Sequence, residues 1–172
     1  MAALNPQVIG KEMPHGFAGG YARQPDMIVN TRPAGGSNPI PFGAPLVYDT
    51  TKPAVVAAGA GFTAANFVGV AGCEIKSALT YLDQSAGQYA PGDAVTVFQR
   101  GSINVRAYGT PALGGAVYVR TATSDTYTTE PVGAFTATNE SGDTVQLTNC
   151  QWGGPADANG IAELVILTRA NA

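Results

Sequence analysis

The stretch PGDAVTVFQRGSINVRA, residues 91–107, constrains the fold more than any other part of the chain. Val95, Val97, Ile103 and Val105 alternate with other residues at the period of a strand with one face inward. Pro91-Gly92-Asp93 is turn chemistry. Gln99-Arg100-Gly101 has the length of a three-residue hairpin loop, and its glycine stands where that loop needs a left-handed residue. In this register Val97 pairs with Ile103 and Val95 with Val105 on one face. Thr96, Asn104 and Arg106 fall on the other. Turn chemistry and alternation choose the same register, so the sequence predicts a β-hairpin here. Nothing on it is reactive.

Short apolar runs bounded by turn residues continue the pattern. Ala44–Asp49, Ala54–Ala58, Asn66–Ala71 and Ala116–Arg120 read as strands, and GAFTAT and TVQLTNC as two more. Cys73–Leu82 fits a short helix or a strand and loop equally. Ile161–Arg169 is apolar on both faces, as in a central strand or one face of an oligomer contact. The 22 glycines and 12 prolines favour turns over helices. Together these predict an all-β fold, a small β-barrel or a β-sandwich of jelly-roll type. No repeat of fixed period appears.

Residues 1–41 differ from the rest. Pro14, Pro25, Pro33, Pro39 and Pro41, with five interspersed glycines, leave no helix or strand pattern. Yet Phe17, Tyr21, Met27, Ile28 and Val29 are more apolar than a disordered tail usually carries. The expectation is an extended N-terminal arm over 1–41, packed on its own body or on a neighbouring subunit, and a β body over 42–172. A floppy terminus is the plainer alternative.

Charged residues make up 12% of the chain and the net charge is −3, which argues against nucleic acid as the main partner. No apolar stretch is long enough to span a bilayer. The first ten residues lack the pattern of a secretory signal, so synthesis and folding in a cytoplasm are expected. Cys73 and Cys150 fit no metal motif and read as small buried hydrophobes; their spacing does not decide whether they pair. The single histidine, His15, sits between proline and glycine in the arm, a poor support for a catalytic triad or a zinc site. GAGFTA, residues 59–64, matches a dinucleotide fingerprint, but no helix pattern follows it, so a glycine-rich turn is expected. Glu140 and Asp143 in NESGD read as solvated turn acids. Arg100, Arg106 and Arg120 have no acid among them, whereas residues 125–163 hold six acids and no base. A contact between subunits could use that asymmetry; solvated charges explain it equally. No catalytic residue, cofactor or metal ligand is expected.

The order IPFGAPLVYD, NFVGVA, QYAPGDAVTVFQRGSINVRA, TPALGGAVYVR, QWGGPADANGIAELVIL resembles the structural cement, or capsid decoration, proteins of tailed bacteriophages. The likeness covers most of residues 40–169 and thins in the arm. It implies a non-enzymatic virion protein, made in the host bacterial cytoplasm. Such a protein sits on the outer surface of the phage head and bridges capsomers. The implied partners are the major capsid protein and further copies of itself, as a dimer or trimer, with no nucleic acid or membrane. On this reading Phe17, Tyr21, Arg23 and Arg32 carry capsid or subunit contacts. Trp152, Val165 and Leu167 belong to the core or an oligomer face. The alternative is a head-fibre or tail adhesin that binds a host glycan through Tyr89, Tyr118 and Tyr127. A glycosidase with dispersed carboxylates ranks last.

Overall fold

The computed structural model describes residues 14–73 and 87–169. In chain order its strands are β1 (Tyr21–Pro33), β2 (Ile40–Pro41), β3 (Pro45–Tyr48) and β4 (Val55–Ala57). Next come β5 (Phe67–Ala71), β6 (Gln88–Tyr89), β7 (Ala94–Tyr108) and β8 (Ala116–Arg120). The last are β9 (Phe135–Thr136), β10 (Thr144–Trp152) and β11 (Ile161–Ile166). Among the described residues the one helical element is a 3-10 turn at Ala64–Asn66, which begins on the last residue of GAGFTA. The all-β barrel expected from the sequence is present. Residues 74–82 of the ambiguous segment lie outside the described residues.

The predicted hairpin is not. Ala94–Tyr108 is one strand of 15 residues, paired along both edges. Val97 lies beside Asn30 of β1 and Ala71 of β5, whereas Ile103 lies beside Tyr21 of β1 and Leu164 of β11. A hairpin would give each arm one neighbour. The long strand gives most of its length two. Gly101 does take the left-handed conformation its loop would have needed, φ +104°, but the strand continues through it. The space there is closed as well, because a Cβ would strike the carbonyl of Asp26.

Two rings of strands share β7. Its C-terminal half closes a circuit through β11, β10, β8 and β9, with β9 parallel to Ala107–Tyr108. Its N-terminal half runs through β5, β3 and β4, and an isolated bridge from Val55 to Ala34 returns the path to β1. Each ring has a core. The larger holds Phe98, Ile103, Val105, Phe135, Leu147, Trp152 and Leu164. The smaller holds Ile40, Leu46, Val55, Val68, Tyr89, Val95 and Val97. Before Gly101 the odd residues Val95 and Val97 face the smaller core and Phe98 the larger. After Gly101 the odd residues Ile103, Val105 and Ala107 face the larger. The changeover lies between Phe98 and Ile103, where the pairing with β1 skips Gln99 and Gly101 has a positive φ.

The arm packs on its own body, one of the two placements expected, but it carries a strand where no strand pattern was read. Residues 21–33 form β1, antiparallel to β7, with register shifts around residues 23–28. Proline is tolerated in such irregular edge positions, which is how Pro25 and Pro33 coexist with a strand. Ile161–Ile166 is a central strand, flanked by β10 and β7.

Gly101→Ala should lower stability by about 1–3 kcal/mol, since it adds both backbone strain and a clash. Gly59→Ala, where nothing lies within 4 Å of the added Cβ, should change it by less than about 0.5 kcal/mol. Denaturant midpoints compare them; equal effects would remove Gly101 as a constraint on β7.

Candidate interaction surface

Arg120, at the end of β8, has a side chain 0% exposed. Its Nε and Nη2 donate to Oε2 of Glu130 at 3.0 and 2.7 Å, and Nη1 donates to Oε2 of Glu140 at 2.9 Å. The Tyr127 ring covers the guanidinium, 5.5 Å from Cζ to ring centroid. Ser124 donates to the other oxygen of Glu140 and accepts from the backbone N–H groups of Thr126 and Tyr127. The loop 121–134 is thereby tied to the barrel wall. Burial works against the arginine's charge, yet its hydrogen bonds to Glu140 and Glu130 together outweigh it and hold its pKa above the usual value. The Arg120 hydrogen bond holds the Glu140 carboxyl below the usual range against the opposing effect of burial, and Ser124 adds to this. Glu140 is therefore a structural partner and not the solvated turn acid expected.

The arm is fastened to its own barrel. The backbone N–H of His15 donates to Asp157 at 2.9 Å, and Asn104 Nδ2 donates to the carbonyl of His15 at 2.7 Å. Gly19 and Gly20 exchange backbone hydrogen bonds with Asn104, and the N–H of Cys73 donates to Gly19. Tyr21 packs on Phe98 with ring centroids 5.3 Å apart. Arg23 Nε and Nη2 donate to the two oxygens of Glu163 at 2.7 and 3.1 Å. Glu163 is 7% exposed at its side chain and Arg23 72%. The Arg23 hydrogen bond lowers the Glu163 pKa, burial opposes it, and Ser102 assists. Asp157 is held low first by the N–H of Ile161, with burial opposing and His15 and Asn159 adding to the effect.

The residues singled out in the sequence thus separate. Phe17 projects from the arm at 63% exposure, and Arg32 is exposed, its guanidinium 5.9 Å from the Tyr48 ring. Tyr21 and Arg23 engage their own barrel. Trp152 lies in the core, Val165 is half-buried, and Leu167 is exposed just past the end of β11. The structure adds Leu113, 81% exposed in the β7–β8 loop. Its only sequence signal was a lone leucine inside GTPALGG. An open apolar groove of about 400 Å³ runs beside Phe42, Pro45, Ala58 and Phe135. Tyr89 is buried, its hydroxyl donating to Gly72, so the aromatic set Tyr89, Tyr118 and Tyr127 does not form an exposed groove. The arginine-rich and acid-rich regions meet inside the chain through Arg120. Cys73 and Cys150 are both free, and burial pushes the Cys150 thiol up to about 12. Among the described residues no cluster of His, Cys, Asp or Glu could hold a metal ion.

Residues 5–167 match the family model described as structural cement protein (E217 gp24/Pam3 gp6). A chain of the solved structure "The capsid of Myoviridae Phage XM1" superposes with a TM-score of 0.67, covering 98% of each chain at 16% sequence identity. At that identity the likeness is one of fold. No curated protein matches.

Arg120→Met should cost about 3–5 kcal/mol, because it strands the buried Glu130 carboxylate. A loss below about 1 kcal/mol in denaturant titration would show that Glu130 finds other partners. Glu140 and Glu163 titrate below their ordinary value of 4.5 in the folded chain. Their stabilising contribution is complete above 4.5 and is lost as pH falls through the lower folded values. The double variant Glu140→Gln, Glu163→Gln should therefore lose less stability than the natural chain between neutral and acid pH. An unchanged pH slope would contradict that.

Proposed function

The chain belongs to the phage structural cement protein family, and from this we propose that it binds the outer surface of an assembled head and bridges neighbouring capsomers. Its role is to stabilise the capsid without chemistry, in the virion, with the major capsid protein as partner and as a small homo-oligomer, a dimer or trimer. Synthesis in the host bacterial cytoplasm precedes assembly. The observation that carries the reading is the family match, which spans nearly the whole chain.

The surface supports it. The barrel is closed and doubly cored, so it can take load without rearranging. Phe17 and Leu113 stand out at widely separated points of the sequence, each an anchor for a pocket on a neighbour. Burial of such side chains is favourable by about 25 cal/mol per Å² before ordering costs. Weak contacts repeated over one shell add up through multivalency. Among the arm residues, we assign the capsid contact to Phe17 and Arg32. Tyr21 and Arg23 hold the segment that presents Phe17.

Purified protein should saturate stripped phage heads at a fixed ratio to the major capsid protein and raise the temperature at which they release DNA. Phe17→Ser with Arg32→Ala should reduce head occupancy several-fold without moving the protein's own melting temperature. Tyr21→Ala is the wrong variant for this purpose, since it removes packing on Phe98. Binding to host cells in place of heads would replace the cement reading with the adhesin one.

A further inference from the structure

The apolar groove of about 400 Å³ lies where the two rings meet. One wall comes from residues 41–45 and 57–58, around β3 and β4. The other comes from Arg106 and Tyr108 of β7 and from residues 131–135, which lead into β9. Both walls are set by the fold itself. Gly133 approaches the Ala58 carbonyl so closely that a Cβ there would strike it. The loop that carries Pro131 and Val132 is held by Glu130 on the buried Arg120.

The polar atoms of the lining select the ligand. The N–H groups of Phe42, Gly43, Ala58 and Gly133 donate to Gly87, Ala71, Pro45 and Arg120 of the chain itself. The carbonyls of Pro41, Pro45 and Pro131 each accept from the chain as well, and a proline has no N–H to offer. An extended peptide laid here would give up hydrogen bonds to water and find few in return. An alkyl chain has none to lose, and burial of its methylenes is favourable. One charged side chain lines the groove. Arg106 is exposed, and among the described residues its guanidinium meets no carboxylate. It rests 5.7 Å from the centroid of the Tyr108 ring. A concave apolar site of this size with a single polar anchor has the make-up of a small-molecule pocket. The matching ligand has an apolar body and one negative head, and a carboxylate fits the fork of a guanidinium.

We propose that this groove binds a free fatty acid, its alkyl chain between the two walls and its carboxylate on Arg106. The site goes beyond the cement reading and does not rest on it, because its assay contains no heads.

Calorimetric titration of the full chain with decanoate tests this. Decanoate should saturate a single site per chain with a Kd below about 1 mM. Acetate is the head without the chain, and decyltrimethylammonium is the chain with the opposite head. Each should bind at least tenfold more weakly. Arg106→Gln and Val132→Asp, both at exposed positions, should each lower decanoate affinity at least tenfold. Both variants should melt where the natural chain does, and the comparison of the three ligands on the natural chain stands without them. Absence of saturation, equal affinity for decanoate and decyltrimethylammonium, or several decanoates per chain overturns the proposal. So does a decanoate affinity that folded Arg106→Gln and Val132→Asp leave unchanged. A chain that ignores decanoate but sediments with phosphatidylglycerol vesicles, and ceases to do so as Arg106→Gln, would assign Arg106 to an anionic membrane surface and overturn it equally.

Discussion

The ladder along both edges of β7 is the constraint on which the rest depends. Fifteen residues in one strand set the spacing between two cores and supply a wall to each. β1 runs beside residues 94–103 of β7 and β5 beside 97–98, β11 beside 101–106 and β9 beside 107–108. A break at Gly101 would leave two small barrels, each open along a seam. This makes the fold non-local: the partners of Ile103 come from residues 21 and 164. Topologies built on such distant pairings fold slowly.

Charge is used sparingly, and among the described residues three charged side chains, Arg120, Glu130 and Glu163, are buried. Arg120 and Glu130 are buried together, with Glu140 partly covered, and Arg23 covers Glu163. A buried pair of this kind adds little net stability over apolar packing, but removal of one member is costly. What it supplies is placement. The loop 121–134 has few large apolar residues to hold it, and the arginine does so through two carboxylates and a tyrosine ring. The same logic applies to the arm, where Asp157 and Asn104 grip the backbone of His15.

Strand positions were legible in the sequence where local pattern and tertiary partner agree. Ala116–Arg120 coincides with β8, and the runs around Leu46, Val55 and Val68 appear as β3, β4 and β5. The hairpin failed because turn chemistry and apolar alternation are local signals. Gly101 was correctly read as left-handed, yet a left-handed glycine serves a bend in a strand as well as a loop. β1 was hidden by its prolines, which an edge strand accommodates through register shifts. In the candidate contacts, exposure of Phe17 followed from its setting in the arm. The tie of Arg23 to Glu163 joins residues far apart in sequence, and no spacing rule could reveal it. The charge asymmetry around Arg120 was visible, but its closure inside one chain required the fold.

The shared strand has a mechanical consequence. Inter-strand hydrogen bonds lie across the strand direction. Tension applied along β7 therefore loads its ladders in shear, many bonds at once, while a pull at right angles would peel them singly. Both rings meet that load through one continuous backbone. The molecule is stiff along the axis of β7 and softer across it, so the direction in which a copy is mounted on its partner decides how much force it can carry.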